Sequence, residues 1–272
     1  MTEPTVSDLA QFRTAVRYQL RFFLRTYRFL TFLILTVILW GATLTVQLYY
    51  ANPGAGTVSS YLSSSLTYVD LLMVLVAAFL GGDAIAMDLG SATGYYVLVQ
   101  PVRRRVLLFG RYAAALGASM IILAVYYLAV VVGTLHFYGL GSVPTGLLDS
   151  FLLATWFTLA ALAGAFLFSS FFKSPAVSMI ATVLILFLGL DIAGGIASLS
   201  GTEPWFSLLY AGGAISGVMD PTFVHHTVVA VERFRISTWS AYPWEAAEIM
   251  FGYLVVGLGS AWAIYERRES RG

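Results

Sequence analysis

The chain has 272 residues, of which 59% are hydrophobic and only 11% charged, and its formal net charge is +1. Its apolar runs are long enough to cross a hydrocarbon core of roughly 30 Å, which excludes a soluble single domain; the net charge says nothing about nucleic acid, since the basic residues are spread along a membrane edge rather than gathered on a soluble face. With no cysteine, disulfides, thiolate metal sites and cysteine nucleophiles are excluded as well.

The opening MTEPTVSDLA lacks the basic-then-apolar order of a cleaved leader, so the first span is expected to direct insertion. Within residues 1–28, Leu9, Phe12, Val16, Leu20, Phe23 and Tyr27 recur at three- and four-residue steps, while Arg13, Arg17, Arg21, Arg25 and Arg28 take the neighbouring face. That spacing predicts an amphipathic helix too charged to cross, lying in the membrane interface as an anchor or a docking surface. A first span follows over 29–50, then an uncharged external loop over 51–65 with Pro53 and Gly54, then a second span over 66–82. A long stretch over 83–111 separates it from a third span over 112–138. A Gly- and Pro-marked loop leads to a fourth span over 151–172, and the tight turn at Lys173, Ser174 and Pro175 makes a hairpin with a fifth over 175–198. The segment 199–246 is longer than a connection requires, and two short helices dipping into the outer leaflet are expected in its apolar first half, 204–218, and its mixed second half, 221–236. Pro243, Glu245 and Glu248 then open a sixth span over 247–265.

Orientation follows from the basic residues. The arginines before the first span, those between the second and third, Lys173 and the C-terminal Arg267, Arg268 and Arg271 all fall on one side, which the positive-inside rule makes the cytoplasm. Only Arg233 and Arg235 fall outside, in the long external segment, where charge matters least. The expectation is a single all-α multi-pass domain over 1–272, in the cell membrane, with both termini cytoplasmic and anionic lipid headgroups as neighbours.

The stretch GGDAIAMDLGSATGYYVLVQPVRRRVLLFGRYAAAL holds the most specific pattern: an acid, a small-polar pair, an apolar turn, Pro with an Arg cluster, then Gly and a basic residue opening a span. It resembles the loop between the second and third spans of type 2 ABC exporter permeases, which commonly read Glu-x-x-x-Gly-Thr, an apolar run, Pro-x-x-Arg and a later Gly-Lys. Asp88 falls on the Glu, Ala92 and Thr93 on the Gly-Thr pair, Pro101 and Arg104 on the Pro and Arg, and Gly110 with Arg111 on the Gly-Lys. Asp for Glu, Ala for Gly and Arg for Lys are departures, while the order and spacing hold. The likeness extends to the basic leader, the six spans and the long external segment before the last helix. It implies a cytoplasmic coupling helix seated in a groove of a separate ATPase subunit, with Asp88, Thr93, Tyr95, Tyr96, Pro101, Arg103, Arg104 and Arg105 as coupling residues. Tyr95, Tyr96, Leu98 and Val99 have the bulk to fill a pocket, and the arginines pair with acids or, on the plainer reading, only fix topology. The resemblance also implies two ATPase subunits that hold ATP and Mg, and a permease pair made with a second copy or a related chain. The first and fifth spans then line the contact and the path, with the second beside them.

No G-x-x-x-x-G-K-[ST] phosphate loop exists in this chain, so any ATP is hydrolysed by a partner. Asp70 and Asp191 fall near expected span ends, Asp191 beside a Gly194-Gly195 break, and interface exposure accounts for both more simply than a substrate or proton site. His136, His225 and His226 fall on the external side with no HExxH motif or carboxylate cluster to complete a metal set, so they read as surface residues. Gly189, Gly194, Gly195, Gly252, Gly257 and Gly259 are candidates for close helix approach. Two rival functions stand beside an exporter permease of unreadable substrate: a non-transporting scaffold or assembly factor, and an intramembrane enzyme, for which no catalytic constellation is visible.

Overall fold

Ser7 accepts a hydrogen bond from the Ala10 N–H and Asp8 sits at the positive end of the dipole, which starts the first helix, α1 (Asp8–Arg25). It belongs to a computed structural model that describes residues 7–50, 56–87, 104–139, 141–231 and 234–267. Helix α1 buries Phe23, half-buries Phe12, Val16 and Leu20, and leaves Arg13, Arg17, Arg21 and Arg25 exposed, as its periodicity requires. Leu9 and Tyr27, expected on the apolar face, are instead exposed. Extended backbone at Thr26 separates α1 from α2 (Tyr27–Tyr50), the first span.

The second span departs most from the sequence reading. It consists of α3 (Val58–Leu66) and α4 (Val69–Gly81) around a turn at Thr67 and Tyr68, so residues 58–65 belong to the span and not to an external loop. The Ser-rich run stays helical because its hydroxyls find partners. Ser60 and Ser64 Oγ donate to the Thr57 and Ser60 carbonyls, both at 2.8 Å, and Ser65 Oγ accepts from Gln47 Nε2 at 3.1 Å. At the turn, the carbonyl of Ser65 accepts the Tyr126 hydroxyl.

The third span, α5 (Arg104–Tyr138), starts well before residue 112, so Arg104, Arg105 and Arg111 lie within its helix. The fourth span is α6 (Gly146–Phe171). The fifth is α7 (Pro175–Val183), a π-helical turn (Leu184–Gly189) and α8 (Leu190–Leu199). It runs straight through Gly194 and Gly195, where a break was expected, and ends at Ser200. Two short helices follow, α9 (Leu208–Gly212) and α10 (Ala214–Gly217), and the sixth span is α11 (Pro243–Arg267). Both short helices fall in the first half of segment 199–246. The second half forms an antiparallel hairpin, β1 (His226–Val231) with β2 (Phe234–Trp239), in which His226 faces Trp239. Its Thr, Val, Ile and aromatic content suits a pleated ribbon better than a helix.

Among the described residues six helices are thus long and apolar enough to cross a membrane, the plan of a multi-pass, predominantly α-helical membrane protein. Spans two and four form its centre, with 61% of their most apolar windows buried against 17% for spans one, five and six. Helix α6 packs against both α4 and α11, and α4 touches both α2 and α7, so the second span lies between the first and fifth. Close approach depends on specific glycines. A Cβ on Gly257 would sit 2.8 Å from the Ala163 carbonyl carbon, and one on Gly110 would sit 3.0 Å from Ala15 Cβ, where α1 lies along α5. Of the glycines expected to serve this purpose only Gly257 does so tightly; Gly195, Gly252 and Gly259 face open space.

Candidate functional site

The loop between the second and third spans is described at its two ends. Asp88, Thr93, Tyr95, Tyr96, Pro101 and Arg103 lie outside the described residues; Arg104 begins α5, and Arg105 follows it with an exposed side chain. The residues that carry the loop, 82–87, are fixed by bonds to three other spans. Asp83 is buried and pairs with Arg28 at the start of the first span. Arg111 Nη1 of the third span donates to the Ala84 carbonyl at 2.6 Å. Ser169 Oγ of the fourth accepts the backbone N–H groups of Ile85 and Ala86 at 2.9 and 3.0 Å. Gly82 permits the turn that brings them there, since a Cβ on it would strike the Ala78 carbonyl and press on Met179 of the fifth span at 3.2 Å.

Each bond answers an electrostatic need. Burial pushes the Asp83 carboxyl above the usual carboxylate range, and the Arg28 guanidinium pulls it back. Ile85 and Ala86, 2% and 0% exposed, would keep unpaired donors in a dry interior without Ser169. A cleft of about 110 Å³ beside the ion pair is lined by Phe22, Phe23, Phe79 and Met87. A displacement of the loop therefore loads the first, third and fourth spans through polar bonds and the fifth through contact.

Deeper in the protein, Gln47, Ser65 and Tyr126 join the first three spans around the turn at residues 67–68. Asp70 is not near a span end. It sits close to the middle of the 24-residue second span, in the first turn of α4, where its Oδ1 accepts the Leu71 N–H at 2.7 Å. A Cβ on Gly212 of α9 would lie 2.8 Å from Asp70 Cβ, so the short helices that follow the fifth span are packed among the spans. Ser150 Oγ, bonded to the Tyr127 hydroxyl, donates to the Ile215 carbonyl, and the Tyr253 hydroxyl donates to the Phe206 carbonyl, which fixes this packing. Asp191 lies on an exposed face of α8 within electrostatic reach of Asp70. That proximity was invisible in the sequence, where the two acids are separated by two spans.

The three histidines differ from one another. His136 stands at the end of α5, and His226 stacks on Trp239 with ring centroids 3.9 Å apart. His225 is joined by Glu203 and Glu245, so a carboxylate set does exist around it, assembled from segments at least twenty residues apart. Comparison with protein-family models and with curated proteins finds no match.

Proposed function

We propose that this chain is the permease subunit of an ATP-binding-cassette exporter, moving a substrate outward across the cell membrane with ATP hydrolysed by a separate subunit. The observation that carries this reading is the loop base: a segment whose sequence order resembles a coupling loop, tied to three spans by buried and part-buried polar bonds. In this role Asp88, Thr93, Tyr95, Tyr96, Pro101 and Arg103 to Arg105 meet the ATPase, and Asp83, Arg111 and Ser169 pass its movement into the bundle. Two ATPase subunits, each with ATP and Mg, act on a pair of permeases, either two copies of this chain or this chain with a related one. Both termini and the arginine face of α1 then lie at the cytoplasmic headgroups, and α9 and α10 re-enter from outside.

ATP binding does work here only by favouring one arrangement of the spans over another. The first and fifth spans support this, because both adjoin the second and both expose most of their apolar surface, which leaves them free to contact a second permease. Co-purification tests the proposal. A nucleotide-binding subunit should accompany the chain and be lost when Arg103, Arg104 and Arg105 are changed to Glu. A stable chain with no such partner favours a scaffold.

A further inference from the structure

The three segments that meet at His225 have no sequence relation to one another. Glu203 belongs to the link after α8, His225 precedes β1, and Glu245 lies in the first turn of α11. One ligand atom from each, a ring nitrogen and two carboxylate oxygens, lie within 4.8 Å of one another, and all three residues are half-buried. Two carboxylates so close repel each other.

Each of the three is held in place from behind. His225 Nδ1 lies 2.8 Å from the Ser240 carbonyl, which can only accept, so Nδ1 donates and, in the neutral ring, Nε2 is the nitrogen with a lone pair to offer. Its ring stacks on Tyr242, with centroids 4.7 Å apart and planes 17° apart, and meets Trp239 edge-on. Glu203 Oε1 accepts the Tyr210 hydroxyl at 2.6 Å, and Glu245 Oε2 accepts the Tyr242 N–H at 3.0 Å, so each carboxylate has its other oxygen to give. An imidazole oriented by a carbonyl, beside carboxylates that are themselves hydrogen-bonded, is the second layer that metal ligands require.

We infer that Glu203, His225 and Glu245 form an external binding site for one Zn²⁺ ion, with water as the fourth ligand. One imidazole and two carboxylates suit this ion; Ca²⁺ and Mg²⁺ prefer oxygen ligands alone. Zinc bonds of about 2.0–2.2 Å place tetrahedral ligand atoms roughly 3.3–3.6 Å apart, so ligand atoms that lie within 4.8 Å of one another close by at most about 1.5 Å. The ion would cancel the carboxylate repulsion and clasp the hairpin and the link after the fifth span onto the sixth. The site does not depend on the exporter reading, and a scaffold with this fold would hold the same ion.

The test is calorimetric titration of ZnCl₂ into the full chain in detergent, purified with a tag free of histidine and stripped with chelator. One Zn²⁺ should bind per chain, with CaCl₂ and MgCl₂ giving no competing heat. His225→Ala and, separately, Glu203→Gln should weaken binding at least about a hundredfold, Tyr210→Phe by about tenfold, and His136→Ala and His226→Ala not at all. Retention of native helical circular dichroism in each variant separates loss of the site from loss of the fold. Zinc should also raise the unfolding temperature of the unaltered chain and not that of His225→Ala. No saturable binding, or unit stoichiometry that survives both His225→Ala and Glu203→Gln, would overturn the assignment; so would loss of binding on His226→Ala alone.

Discussion

Removing Arg28 should reveal how much of the fold depends on one ion pair at the loop base. Asp83 is 7% exposed and Arg28 45%, so the pair stands between two limits. Breaking a fully buried pair costs about 3–5 kcal/mol, whereas exposed pairs are worth about 0–1 kcal/mol. Arg28→Met leaves a buried carboxylate with only the more distant charge of Arg111 to offset it and should cost about 3 kcal/mol; Asp83→Asn frees a guanidinium that reaches water and should cost about 1 kcal/mol. The double variant should lose about 2 kcal/mol, giving a coupling of about 2 kcal/mol. Unfolding by SDS in mixed micelles, followed by circular dichroism, measures all four corners of the cycle. The pH dependence has a fixed sign. Burial already raises the Asp83 carboxyl, so in the unaltered chain its contribution to stability is complete below the unfolded carboxylate range and declines as pH rises through the folded value. Without Arg28 that value rises further, so the Arg28→Met penalty should be largest at neutral pH and shrink on acidification. A coupling below about 0.5 kcal/mol, or a penalty that grows as pH falls, would refute the reasoning.

Ser169→Ala removes the acceptor of two buried N–H groups and should destabilise the chain by about 2–3 kcal/mol in the same assay, whereas Ser170→Ala, which loses only a bond to its own helix, should cost under about 1 kcal/mol. Gly257→Leu forces the fourth and sixth spans apart and should lower the unfolding temperature sharply, while Gly252→Leu and Gly259→Leu, which face open space, should leave it within a degree or two. Tyr126→Phe takes the hydroxyl from the Ser65 carbonyl at the turn in the second span and should cost about 1 kcal/mol.

Hydropathy located five of the six spans to within a few residues at most ends, because lipid demands an unbroken apolar length that sequence displays directly. It failed at residues 58–65, where VSSYLSSS reads as a loop unless Gln47 and the helix's own carbonyls are known to satisfy the serines. It also placed Asp70 at a membrane edge, because the span was begun at residue 66. Arg111 was read as a loop charge, yet it belongs to α5 and reaches back to Ala84, a bond between residues 27 apart that no local pattern encodes. The proposed coupling loop was legible only as an order of residue types. Its attachment through Ser169 and Arg28 was not, since a serine in an apolar span and an arginine before one carry ordinary explanations. Glu203 and Glu245 gave no hint of His225 because hairpin and helix had to form before the three could meet.

Chemical crosslinking tests the central claim most directly. The chain has no cysteine of its own, so Tyr96→Cys supplies a unique thiol in the loop between the second and third spans, and Val143→Cys supplies one between the third and fourth. Crosslinked in intact membranes, the Tyr96→Cys chain should join a nucleotide-binding subunit and be shielded from an impermeant maleimide applied outside; the Val143→Cys chain should show the reverse. Labelling of Tyr96→Cys from outside, or failure to join any ATPase while the complex is intact, would contradict the account.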